Sequence, residues 1–107
     1  MTRKIISTDK APAAIGPYSQ ANAAGGFLFT AGQIPLDPAT MDVVGETAAE
    51  QAHQALTNAQ AVVEAGGLTL DNVLKVTVFI RDMGQFAAIN EVYRTFFTGE
   101  PPARSVV

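Results

Sequence analysis

The stretch TAAEQAHQALTNAQAVVEAGG, Thr47 to Gly67, decides the fold. It opens on Thr47-Ala-Ala-Glu50, the spacing of a capping box: the Thr hydroxyl takes the amide three residues on, and the Glu reaches back. Behind it Ala48, Ala52, Ala55, Leu56, Ala59, Val62 and Val63 recur on one helical face, with Glu50, Gln54, Asn58 and Gln60 largely elsewhere. Gly66-Gly67 ends the helix where a left-handed cap is wanted. The apolar face is mostly Ala, so this helix is expected to approach a sheet closely.

Outward from the helix the chain reads as short strands and turns. Upstream, Lys4 to Thr8 is a β-branched run, and the Pro12, Gly16 and Pro17 stretch is a loop. Tyr18 to Ala24 and Phe27 to Ala31 flank Gly25-Gly26 as a hairpin, and the Gly32–Gly45 stretch is an irregular connection. Downstream, Val73 to Ile80 is a strand with a well-buried face. Asp82 and Gln85 begin a second helix on which Phe86, Ile89, Tyr93, Phe96 and Phe97 share a face. Gly99, Pro101 and Pro102 stop it, and Ala103 to Val107 opens a last strand. Strand–helix–strand crossovers of one hand put both helices on the same side. The expected architecture is α+β: one mixed β-sheet with two helices packed on one face, in a single domain over residues 1–107.

Composition narrows the function. Apolar residues form 48% of the 107 and charged ones 16%, which excludes a disordered, solvating chain. The net charge is −3, and seven Lys plus Arg are scattered, so no nucleic-acid partner is expected. Without Cys there is no disulfide, thiolate metal site or cysteine nucleophile, and a reducing, cytoplasmic setting is expected. No apolar run reaches the length of a membrane span, and the N-terminus does not read as a signal peptide. The lone His53 reads as a surface residue, no acidic cluster suggests a metal, and no phosphate-cradling motif is present.

Three polar positions remain. Tyr18 follows Gly16-Pro17, so a stiff loop holds its ring either as a plug at the hairpin edge or as a pocket wall. Gly32, after Thr30 and Ala31, offers a backbone amide that a ligand can approach closely. Arg104 stands in an apolar strand two residues after a proline pair, a poor place for an ordinary surface charge. Guanidinium groups grip carboxylates bidentately, so Arg104 is read as a carboxylate anchor or as the partner of a carboxylate across a subunit interface.

Taken together, APAAIGPYSQA, FTAGQIPLDP, NAQAVVEAGGL, VTVFIRDM and PPARSVV resemble, in order and spacing, the RidA/YjgF family of reactive intermediate deaminases. The resemblance spans essentially the whole chain. It implies a chorismate-mutase-like fold, a homotrimer whose sheets face a central barrel, and sites in clefts between subunits. It implies hydrolysis of enamines and imines such as 2-aminoacrylate to 2-oxo acids and ammonia, with no cofactor and no metal. By the same resemblance Arg104 grips the substrate carboxylate, the Gly32 amide helps hold it, and Tyr18 lines the pocket. Asn90 lies near the site or serves as a packing or interface amide. Two positions depart from the family pattern: Ala31 stands where many relatives have Ser, and Val106 where many have Cys, leaving a backbone carbonyl at 106 to orient water. Relatives continue into a final strand bearing a water-positioning glutamate, so the 107 residues are expected to be part of a longer chain. A non-catalytic trimer that binds small carboxylates is the alternative reading.

Overall fold

The computed structural model describes residues 2–107. Strands β1 (Lys4–Ile6), β2 (Ala21–Ala24) and β3 (Phe27–Thr30) precede helix α1 (Ala48–Ala65); β4 (Lys75–Val78), α2 (Phe86–Phe96) and β5 (Ala103–Val106) follow. Short 3-10 turns at Leu70–Asn72 and Met83–Gln85 lead into β4 and α2.

Helix α1 begins as its sequence dictates. Thr47 Oγ1 accepts the Glu50 amide at 3.1 Å, and Glu50 Oε1 accepts the Thr47 amide at 3.3 Å. Its end is a Schellman motif: Leu68 N–H donates to Val63 O and Gly67 N–H to Glu64 O. The left-handed residue is Gly67, at φ +84°, the second of the pair. Gly66 keeps an ordinary φ of −82° and serves packing instead, because a β-carbon there would collide with Leu28 Cδ1 of β3. The Ala-rich face thus brings helix and sheet together where the smallest residue lies.

Strands β1, β2 and β3 form an antiparallel meander in which Ile5 pairs Asn22 and Asn22 pairs Phe29. Gly25 and Gly26, at φ +60° and +83°, make the two-residue turn between Ala24 and Phe27. One face of the meander sets Ile6 and Ala21 against Val62 and Leu28 in the core. The other presents Ile5, Phe27 and Phe29, the last 72% exposed. β4 and β5 pair in parallel, with Val76 opposite Arg104 and Val78 opposite Val106. The five strands therefore form two hydrogen-bonded sets, not one continuous mixed sheet, and β3 and β5 are each paired on one side. α2 packs along α1, with the His53 and Phe96 rings meeting edge-on at 5.3 Å.

The strands are shorter than the β-branched runs suggest, because side chains claim the backbone at their ends. Gln20 takes the amide and carbonyl of Thr8, which removes residue 8 from any ladder. Asp82 caps the turn at Met83, so the second helix starts at Phe86. Asn58 differs most from expectation. Its place among polar helix positions suggests solvent, yet it is wholly buried. Its Nδ2 donates to Ile34 O and Leu36 O, and its Oδ1 accepts from Gln54 Nε2, so the pair ties the 31–47 loop to α1. Among the described residues no helix is long and apolar enough to cross a membrane.

Candidate functional site

The predicted site residues fall into two groups that one chain does not bring together. The first lies at the loop before β2. Pro17 stiffens the loop, Tyr18 N–H bonds back to Gly16 O at 2.8 Å, and the phenol oxygen accepts the Ile15 amide at 3.4 Å. What fixes this loop is Gln20, which is buried. Its Oε1 accepts from Thr8 N at 2.7 Å, while Nε2 donates to Pro12 O at 2.8 Å and Thr8 O at 3.0 Å. A buried carboxamide with every group satisfied stands in for the missing ladder. Tyr18 is half exposed and lines an open groove with Arg3, Asn22, Phe29 and Ala31. Asn22 Oδ1 is buried there without a hydrogen-bond partner. Ala31 is seated by its amide on Gln20 O at 2.8 Å. Gly32 follows in the open, and a β-carbon on it would meet nothing of this chain within 4 Å. Any close approach that needs a glycine there comes from outside the chain.

The second group is built by β5 and α2. Pro101 and Pro102 end the preceding segment and deliver Arg104 to β5 with its side chain toward α2. Arg104 Nη1 donates to Asn90 Oδ1 at 2.8 Å. Its Cζ lies 4.7 Å from the Tyr93 ring centroid and 5.4 Å from that of Phe86. Phe86, Asn90 and Tyr93 stand at i, i+4 and i+7 on α2, a single stripe along which the arginine lies. Asn90 is thus an arginine partner and not simply a packing amide. Tyr93 is buried and stacks on Phe97 at 4.7 Å. Burial pushes its phenol above the ordinary value, outweighing the nearby Arg104 charge, which pulls the other way. Its hydroxyl has no hydrogen-bond partner. Val106, two residues beyond Arg104, is half-buried opposite Val78.

Arg104 remains exposed, and among the described residues the one ion pair is Arg94–Glu91, so no carboxylate of its own chain neutralises it. A guanidinium with one N–H satisfied and the others open is suited to an anionic ligand. The Tyr18 groove is lined by residues between 3 and 31, none from α2 or β5. Among the described residues no three His, Cys, Asp or Glu side chains come together. Gln20, Phe86 and Tyr93 were not legible as site residues. The only signal for the last two is their helical spacing about Asn90, and it reads equally as core packing.

A family profile described as Endoribonuclease L-PSP matches residues 8–107. A RutC family protein of Synechocystis sp. is 56% identical over 109 residues, covering 100% of this chain and 84% of that protein. The 2-iminobutanoate/2-iminopropanoate deaminase of Mus musculus is 47% identical over 103 residues, covering 96% of this chain and 76% of the mouse protein. Among solved structures, the YjgF gene product of E. coli superposes with a TM-score of 0.93 at 47% identity, covering 97% of this chain and 84% of that one. E. coli TdcF with bound serine also gives a TM-score of 0.93, at 46% identity and the same coverage. The α+β architecture is the chorismate-mutase-like one these structures share.

Proposed function

Since the chain belongs to the RidA/YjgF family, we propose that it hydrolyses reactive enamine and imine intermediates such as 2-aminoacrylate to 2-oxo acids and ammonia. The observation that carries this reading is Arg104: exposed, oriented by Asn90 and, among the described residues, paired with no carboxylate. The imine of 2-aminoacrylate places a carboxylate next to an electrophilic C=N carbon. Water adds to that carbon, the C–N bond breaks, and the nitrogen leaves as ammonia with the oxygen retained as the ketone. Arg104 holds the carboxylate, the Gly32 amide adds a donor, Tyr18 walls the pocket, and the Val106 carbonyl orients the water. The reaction is undemanding enough for positioning to supply much of the acceleration. The name of the mouse relative and the serine bound to TdcF are in keeping with a small carboxylate ligand.

Because Tyr18 and Arg104 lie apart, the working unit is proposed to be a homotrimer in which one subunit's Arg104 completes another's groove. The apolar outer face at Ile5, Phe27 and Phe29 supports assembly, as an uncovered patch of that kind marks an interface. A net charge of −3 argues against RNA as the substrate. The second reading, a carboxylate binder without turnover, is favoured by one observation: among the described residues no Asp or Glu pairs with Arg104.

The test is pyruvate release from 2-aminoacrylate generated in situ, with calorimetric titration of 2-oxobutyrate alongside. Deamination well above the buffer rate is expected. Binding without acceleration selects the binder, and neither one defeats both readings. In the same assay, Tyr18→Ala and Arg104→Ala chains refolded together are expected to recover part of the activity each lacks alone. No recovery on mixing contradicts the shared cleft.

A further inference from the structure

We propose that Phe86 and Tyr93 are positioning residues: two rings of α2 that hold the Arg104 guanidinium in the orientation in which it receives a carboxylate. This rests on the reading of Arg104 given above and adds to it what makes the anchor stiff. An exposed arginine is a long, mobile side chain, and much of its value as an anchor is lost if it must be ordered each time a ligand binds. Here three contacts order it beforehand. Asn90 Oδ1 takes one Nη1 proton, and the Tyr93 and Phe86 rings lie within cation–π reach of the same Cζ. The rings are themselves held. Tyr93 is 7% exposed and backed by Phe97, while Phe86 opens α2 directly after the turn capped by Asp82.

The tyrosine hydroxyl sharpens the inference. It is buried and has no hydrogen-bond partner among the described residues, so it makes no polar contact, and the contact Tyr93 makes with Arg104 is that of its ring. A lysine in place of Arg104 would present a compact charge that neither forks nor stacks as a plane, which accounts for an arginine on this stripe. The fork left open after Asn90 has taken its share faces a ligand already oriented.

The experiment uses the whole chain with Tyr93→Phe, Tyr93→Leu and Phe86→Leu, with Arg104→Ala measured beside them. Calorimetry with 2-oxobutyrate gives affinity and stoichiometry separately, and steady-state deamination gives KM and kcat. Either leucine variant is expected to weaken binding by about two- to fivefold, the range of one cation–π contact at an exposed site. KM should rise in step, while the number of sites per chain and kcat stay near wild type. Tyr93→Phe is expected to restore wild-type affinity. A purely structural role gives the opposite pattern, with fewer active sites of unchanged affinity. Ligand-free NMR reads the clamp directly: the Arg104 side-chain resonances should be ring-shifted in wild type and Tyr93→Phe, and not in Tyr93→Leu. Unshifted resonances in wild type, a loss in Tyr93→Phe equal to that in Tyr93→Leu, or unaltered affinity in both leucine variants overturns the proposal. If Arg104→Ala itself leaves affinity unchanged, it is the carboxylate-anchor reading that fails.

Discussion

Replacing Arg104 with alanine is expected to lower kcat/KM for 2-aminoacrylate, and affinity for 2-oxobutyrate, by about a hundredfold or more, with little change in folding stability. The size follows from the bonds removed. A bidentate guanidinium–carboxylate pair has two charge-assisted hydrogen bonds, together contributing about 3–4 kcal/mol, and each 1.4 kcal/mol is about tenfold. The small stability effect follows from exposure. Arg104 makes one side-chain hydrogen bond in its own chain, to Asn90, and two ring contacts, to Tyr93 and Phe86, all at an exposed position, so the loss is expected to stay near about 1 kcal/mol. Arg104→Lys keeps the charge but loses the fork, and should fall between, about tenfold below wild type. Parallel thermal melts separate an anchor from a folding defect. An affinity within threefold of wild type in the alanine variant would remove Arg104 from the site.

The second large effect is on stability and arises far from Arg104. Asn58→Leu keeps the size of a fully buried side chain but removes both donors to Ile34 O and Leu36 O and the acceptor for Gln54. Gln54 Nε2 reaches Leu36 O only at 3.4 Å, so it does not replace what is lost. Each carbonyl loses its Asn58 donor at a cost of about 1 kcal/mol, since Ile34 O keeps the Leu36 amide at 2.8 Å, and the stranded Gln54 amide adds to this while the apolar gain of leucine offsets part of it. A net loss of about 2 kcal/mol is expected, roughly 8–16 °C in Tm for a domain of this size. Denaturant and thermal unfolding followed by far-ultraviolet dichroism measure it at one fixed protein concentration, since assembly adds to apparent stability. A loss below about 1 kcal/mol would mean that the loop is held by something other than this carboxamide.

What the sequence disclosed about the fold was local. The capping box at Thr47, the glycine pair at 25–26 and the glycines after α1 each specify backbone geometry within a few residues, and each is found where expected. Arg104 was legible for the same reason, as a charged residue in a locally apolar setting. The polar groups that matter most for the loops were not. Gln20 and Asn58 look like ordinary surface amides, because their partners lie 8 to 12 and 22 to 24 residues away in segments without a periodic pattern. Phe86 and Tyr93 were legible as an apolar stripe, but that the stripe meets an arginine depends on how β5 passes α2. The division into two ladders is likewise a matter of long-range strand order, on which residue pattern is silent. Asn90 was read with both of its possible roles, and its bond to Arg104 favours the one near the site.

The two carboxamides that pin the loops also set how the molecule gives way to heat. Tyr18 sits on a segment fastened by Gln20, and Ala31 and Gly32 begin the one fastened by Asn58, whereas Val62, Ile6 and Ala21 interlock in the apolar core, which takes only Ala11 from the first loop. Segments held by a few polar bonds open at lower free-energy cost than the apolar centre. On warming, amides of both loops are therefore expected to exchange with solvent ahead of those of α1, before the cooperative melt.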